Sequence, residues 1–123
     1  MLNILIIDDD PLTRRALYFE IERAGHSAEA ACDAYDGLKL IEFRNYDLII
    51  CDIILPQISG LVFGTLLKQF SSKSIPLLLM SSAKEMQHII SQNDFGAIGF
   101  IQKPVKRHLL NNWLNLVEEM RGL

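Results

Sequence analysis

The chain has 123 residues, half of them hydrophobic and 22% charged, with a formal net charge of −3. Such a size holds one domain with one core, and the composition excludes a disordered chain. Scattered basic residues under a net negative charge argue against direct binding to nucleic acid or to anionic membrane. No apolar run approaches the ~20 residues that span a bilayer, and no secretory signal opens the chain, so a cytoplasmic protein is expected.

Residues Asn3 to Ile7 read as a first strand, followed by the acidic turn Asp8-Asp9-Asp10. A helix then begins with Asp10 as N-cap and Pro11 at its first position, where the missing N–H costs nothing. Leu12, Ala16 and Phe19 recur at helical spacing, widened by Leu17, Ile21 and Ala24, and Gly25 closes the helix. A weak second strand is expected over Ala28 to Cys32, and a second helix from Ala34 to Arg44 with Leu38, Leu40 and Ile41 inward. The third strand is an uninterrupted apolar run ending in Cys51-Asp52, as in a strand covered on both faces. Past Pro56 and Gly60, the third helix carries Leu61, Val62, Leu66, Leu67 and Phe70. A fourth strand runs from Ile75 to Met80 and ends in Ser81-Ser82, and a weakly amphipathic helix follows from Lys84 to Asn93. The fifth strand, Ala97 to Gln102, ends in Lys103-Pro104, and the last helix runs from Val105 to Met120.

Strands alternating with helices predict an α/β class fold: a doubly wound five-stranded parallel sheet with helices on both faces. Right-handed crossovers put every strand's carboxyl end on one edge. With a flavodoxin-like order of 2-1-3-4-5, Asp8 and Asp9 fall beside Asp52, with Ser81 and Lys103 on the adjoining strands. Three carboxylates close together need a counter-cation, and Lys103 alone leaves the cluster negative. An all-oxygen donor set favours Mg²⁺, with Mn²⁺ as a substitute, over zinc. An ionised Asp52 can attack phosphorus and form an acyl phosphate without a general base. Lys103 would balance charge on the transferring group, and the Ser81 hydroxyl would donate to one of its oxygens.

These residues carry a resemblance. Asp8-Asp9 after the first strand, Asp52 within Asp-Ile-Ile-Leu-Pro with Gly60 eight residues on, Ile75-Pro-Leu-Leu-Leu-Met-Ser-Ser82, and Gly99-Phe-Ile-Gln-Lys-Pro104 together resemble the receiver domain of two-component response regulators, over essentially the whole chain. The resemblance implies one receiver domain over residues 1–123, with Asp52 as phospho-acceptor and Asp8, Asp9, Asp52 and the Ile54 backbone carbonyl around Mg²⁺. It implies that Lys103, before a cis Lys-Pro bond, pairs with the phosphoryl group, that Ser81 is the switch hydroxyl and that Phe100 is the switch aromatic. It implies a histidine kinase or a histidine phosphotransfer protein as donor. Its output would be a protein partner or a homodimer through the face of the fourth helix, fifth strand and last helix, with no enzymatic activity beyond self-catalysed phosphoryl transfer and dephosphorylation. Ser81 stands where Thr is commoner, Leu55 where Met is usual, and Ser82 where Ala is usual. Ile54 and Ala83 offer no group to orient a water, so slow self-dephosphorylation is expected.

Other readings fit less well. A haloacid-dehalogenase-type phosphatase needs an acidic residue two positions after its nucleophile, where this chain has Ile54. A flavin or nucleotide module needs a glycine-bearing loop after the first strand, and here that loop is acidic. A degenerate receiver that only docks partners would have lost an acidic residue or the lysine, and neither is lost. Cys32 and Cys51 are expected as small buried residues in strands. His26, His88 and His108 are expected at the surface. The last helix, apolar at Leu110, Trp113, Leu114 and Val117, exceeds one buried stripe, which suggests that part of it meets a partner. The sequence leaves open whether the receiver stands alone or is part of something longer.

Overall fold

Long apolar runs without alternation fold as strands buried on both sides, and the sheet here is built from them. The computed structural model describes residues 1–122. Its elements are β1 (Asn3–Ile7), α1 (Pro11–Arg23), β2 (Ser27–Ala31), α2 (Ala34–Phe43), β3 (Leu48–Asp52), α3 (Gly60–Phe70), β4 (Leu77–Ser81), α4 (Met86–Gln92), β5 (Gly99–Gln102) and α5 (Arg107–Met120). All strand pairs are parallel, in the order β2-β1-β3-β4-β5. This is the doubly wound architecture expected from the alternation of strands and helices.

Alternate residues of each strand feed two cores. On one face, Ile4, Ile6, Leu48, Ile50, Leu78 and Met80 pack with Leu17 and Ile21 of α1 and with Leu110, Leu114 and Val117 of α5. On the other, Leu5, Ile7, Ile49, Cys51, Leu77 and Leu79 pack with Ile41, Phe63 and Ile90 from α2, α3 and α4. The starts of α1, α2 and α3 are capped as their sequences dictate. Asp10, Asp33 and Ser59 accept the N–H groups of Leu12, Asp36 and Val62, satisfying donors that a helix start leaves open. Gly25 takes φ 89° just past α1, a conformation that side-chain-bearing residues avoid.

Several expectations are corrected. Leu12, Ala16 and Phe19 are exposed, and Leu17 and Ile21 alone bury α1, because its apolar residues lie on two faces and only one meets the sheet. In α3, Val62 and Phe70 are exposed while Phe63 is fully buried. β2 ends at Ala31, so Cys32 lies outside the strand and exposed, its thiol donating to the Asp36 carboxylate. That hydrogen bond, together with nearby Asp33, holds the Cys32 thiol above its ordinary pKa and hence protonated. His26 is buried, not surface: its Nδ1 accepts the Leu2 N–H at 2.9 Å, and its Nε2 lies 3.6 Å from Glu118. His88 and His108 are exposed, as expected. α4, β5 and α5 each begin two residues later than their sequences suggested. Leu110, Leu114 and Val117 form the buried stripe of α5 and not a partner surface, whereas Leu109 and Leu116 face solvent. No helix among the described residues is long and apolar enough to cross a membrane.

Candidate functional site

Asp8 follows β1 directly, Asp52 and Ser81 end β3 and β4, and Lys103 follows β5, so parallel pairing gathers them at one sheet edge. Backbone bonds fix the arrangement: Asp8 N–H donates to Ala31 O at 3.2 Å, and Lys103 N–H donates to Ser81 O at 2.9 Å. The Lys103-Pro104 peptide is cis, as the resemblance implied. Gly60 N–H donates to Ile53 O at 2.8 Å, and a Cβ at Gly60 would overlap the Asp52 carbonyl. This contact is the physical reason for a glycine at that spacing from Asp52.

Lys103 Nζ lies 2.7 Å from Asp52 Oδ2 and 2.7 Å from Asp8 Oδ2. The first contact is a hydrogen bond; the second is an ion-pair contact without hydrogen-bonding geometry, and Asp8 Oδ2 is left buried with no hydrogen-bond partner. Asp52 Oδ1 accepts the Ile54 N–H at 3.1 Å, and Asp8 Oδ1 accepts the Asp10 N–H at 2.8 Å. Asp8 and Asp52 are 0% and 6% exposed, while Asp9 faces solvent. Burial pushes the Asp52 carboxyl above the ordinary range, against the pull of Lys103 and the Ile54 N–H. For Lys103 burial works downward, but the carboxylates of Asp52 and Asp8 outweigh it and hold the ammonium charged.

Carboxylate oxygens of Asp8, Asp9 and Asp52 lie within 4.8 Å of one another. One ammonium answers three acidic groups, so the pocket stays negative. The all-oxygen donors, the excess negative charge and the buried Asp8 Oδ2, which has only the Lys103 ammonium beside it, fit a hard divalent cation. Ser81 Oγ, 1% exposed as a residue, accepts the Ala83 N–H at 3.1 Å, which leaves its own proton uncommitted. It makes no hydrogen bond to Asp52 among the described residues. Phe100 pairs with Leu79 across β4 and β5 and packs, half-buried, against the α2–α3–α4 core. The Ile54 N–H is already engaged by Asp52, and its side chain stands out into solvent at the rim.

The sequence reading missed one side chain at this edge. Arg14 of α1 reaches back to donate from Nη1 to the Asp8 carbonyl at 2.6 Å. Helical side chains lean toward the helix N-terminus, so an arginine one turn into the helix is placed to touch the loop before it. That lean was the available signal.

The response regulator receiver domain matches residues 4–115. The chain belongs to this family. Among curated relatives, the transcriptional regulatory protein AfsQ1 of Streptomyces coelicolor is 31% identical over 90% of this receiver and 48% of its own length. The response regulator ArlR of Staphylococcus haemolyticus is 32% identical over 85% of the receiver and 47% of its own length. The receiver thus spans about half the length of the curated relatives it matches. The Francisella response regulator 1452 receiver domain shares the fold, with TM-score 0.87 at 22% identity over 98% of this chain and 99% of its own. TrrA of Thermotoga maritima, solved in complex with Mg²⁺ and a beryllium fluoride, has TM-score 0.85 at 26% identity over 95% of this chain and 99% of its own.

Proposed function

We propose that this receiver accepts a phosphoryl group on Asp52 from a phosphohistidine donor, carried by a histidine kinase or a histidine phosphotransfer protein. The observation that carries the reading is a buried carboxylate, Asp52, bonded to Lys103 beside an Asp8 oxygen with no hydrogen-bond partner. Asp8, Asp9, Asp52 and the Ile54 carbonyl would hold Mg²⁺, or Mn²⁺ in its place. The cation supplies positive charge against the oxygens of the transferring group. An Asp52 oxygen bonds to phosphorus as the phosphorus–nitrogen bond of the donor breaks. The electron pair leaves with the imidazole, so no proton need be taken from Asp52. Lys103, already charged, then shares its hydrogen bonds with the phosphoryl oxygens, and the uncommitted Ser81 proton donates to another.

Beside Lys103 opens a groove of about 770 Å³ whose walls include Leu12, Phe19 and Val105. The exposed Leu12 and Phe19 and the half-buried Val105, on the Lys103 side of the site, suit a donor helix that brings its histidine in from there. On the output side, Ser81 moving toward the new charge would let Phe100 repack, which biases the α4-β5-α5 face toward a protein partner or a second copy. The receiver would act without nucleic-acid contact of its own, in the cytoplasm, and its only chemistry would be self-catalysed phosphoryl transfer and dephosphorylation. Ile54 and Ala83 flank the acceptor without a group that could orient water, so the acyl phosphate is expected to persist well beyond seconds.

Intact-mass analysis after incubation with acetyl phosphate and Mg²⁺ tests the assignment. One added phosphoryl group is expected on the wild type and none on Asp52→Asn. No addition on the wild type, or equal addition on both, would leave a phosphorylation-independent docking module as the better reading. A time course of the same signal checks its persistence.

A further inference from the structure

Asp8 has four polar atoms, and three of them are tied down. Its N–H donates to Ala31 O, its Oδ1 accepts the Asp10 N–H, and its carbonyl accepts from Arg14 Nη1 at 2.6 Å. Only Oδ2 is left without a hydrogen bond, buried against Lys103. Two of the three ties are to backbone groups of the fold; the third is a side chain that a single substitution removes. No carboxylate lies within ion-pair distance of Arg14 among the described residues, so its partner is the main chain and not an acidic group. A guanidinium donating to a carbonyl at this length makes a short, charge-assisted bond.

We infer that Arg14 is a positioning residue for the divalent-cation site. By holding the Asp8 carbonyl it fixes the Asp8-Asp9 main chain, and so keeps Asp8 Oδ2 and the Asp9 carboxylate turned toward Asp52. The inference rests on the acidic pocket being a cation site. Arg14 acts on that site in two opposed ways. Its charge repels a dication through space, while its hydrogen bond orders the ligands that attract one. Solvent screens the charge of this half-exposed side chain, and the hydrogen bond is direct, so ordering outweighs repulsion.

Arg14→Met keeps the apolar stem and removes both charge and donor. Mn²⁺ binding to the purified chain, followed by electron paramagnetic resonance, is expected to weaken about tenfold, the scale seen when a partner that orients a metal ligand is lost. Arg14→Lys, long enough to donate to the same carbonyl, is expected to recover most of that affinity. Arg14→Gln loses reach and gives the same loss as Met, which keeps the test available if the Met variant does not fold. In acetyl phosphate reactions the Mg²⁺ concentration for half-maximal rate rises, while the rate at saturating Mg²⁺ is retained. A purely structural role would lower the melting temperature without moving that concentration. Unchanged or tighter Mn²⁺ binding in Arg14→Met and Arg14→Gln overturns the positioning role while leaving the cation site intact. If the wild type binds no Mn²⁺, the cation site and this role fall together.

Discussion

Asp52 is held where its charge is costly. It is almost fully buried and has Asp8 as a like-charged neighbour, and Lys103 answers the two together. Its carboxyl is therefore pushed upward from the ordinary 3.8, first by burial. A folded-state value above the unfolded one means that ionised Asp52 lowers stability. The penalty is complete above the raised folded value and disappears as pH falls below the unfolded value of 3.8. In metal-free buffer at neutral pH, Asp52→Asn should therefore raise the melting temperature by a few degrees, with the gain shrinking toward pH 3; thermal scans at a series of pH values check it. Asp8, Asp9, Asp52, Ser81 and Lys103 were legible in the sequence, because these polar residues close successive apolar runs. Arg14 was not, since a helical arginine reads as a solvated charge until the preceding loop is seen to fall beneath it.

At the scale of elements, the strands were plain and the helix faces were not. Runs such as Leu48 to Cys51 have one reading, burial on both sides. In α1 the apolar residues surround the helix, and spacing alone cannot tell which of Leu12, Leu17, Phe19 and Ile21 meets the sheet. The contact between β5 and α5 shows how such choices are made. Gly99 has no side chain, and the Trp113 ring occupies the space where its Cβ would stand. Gly99→Ala is expected to cost about 1–3 kcal/mol, the range for overpacking a filled site. Trp113→Leu in the same chain should recover part of that loss, because the smaller side chain vacates the overlap. Urea denaturation of the two single variants and the double variant measures the coupling, and purely additive effects would refute it.

The whole molecule is a rigid sheet that ends in an unbalanced negative edge. The two cores hold the strands in register, and the strand ends hold the carboxylates together whether or not their charges favour it. A ligand that binds only the folded arrangement stabilises it by mass action. Mg²⁺ at a hundred times its dissociation constant should therefore add about 2.7 kcal/mol, on the order of 10 °C for a domain of this size. Thermal scans across a Mg²⁺ series check this, and the rise should be much smaller in Asp52→Asn. A melting temperature indifferent to Mg²⁺ would count against the cation site. Strand direction followed from the crossover rule and sheet order from the flavodoxin-like pattern, whereas the lengths of α4 and β5 depended on packing that no local pattern encodes.

The chain has a single tryptophan, Trp113 of α5, and its ring packs over Gly99 on the strand that also carries Phe100. Indole emission is sensitive to its immediate surroundings, so every photon at those wavelengths originates at the β5–α5 seam. The protein thereby comes with an intrinsic optical probe on the surface proposed to change, and a titration in a cuvette can watch that seam without any label.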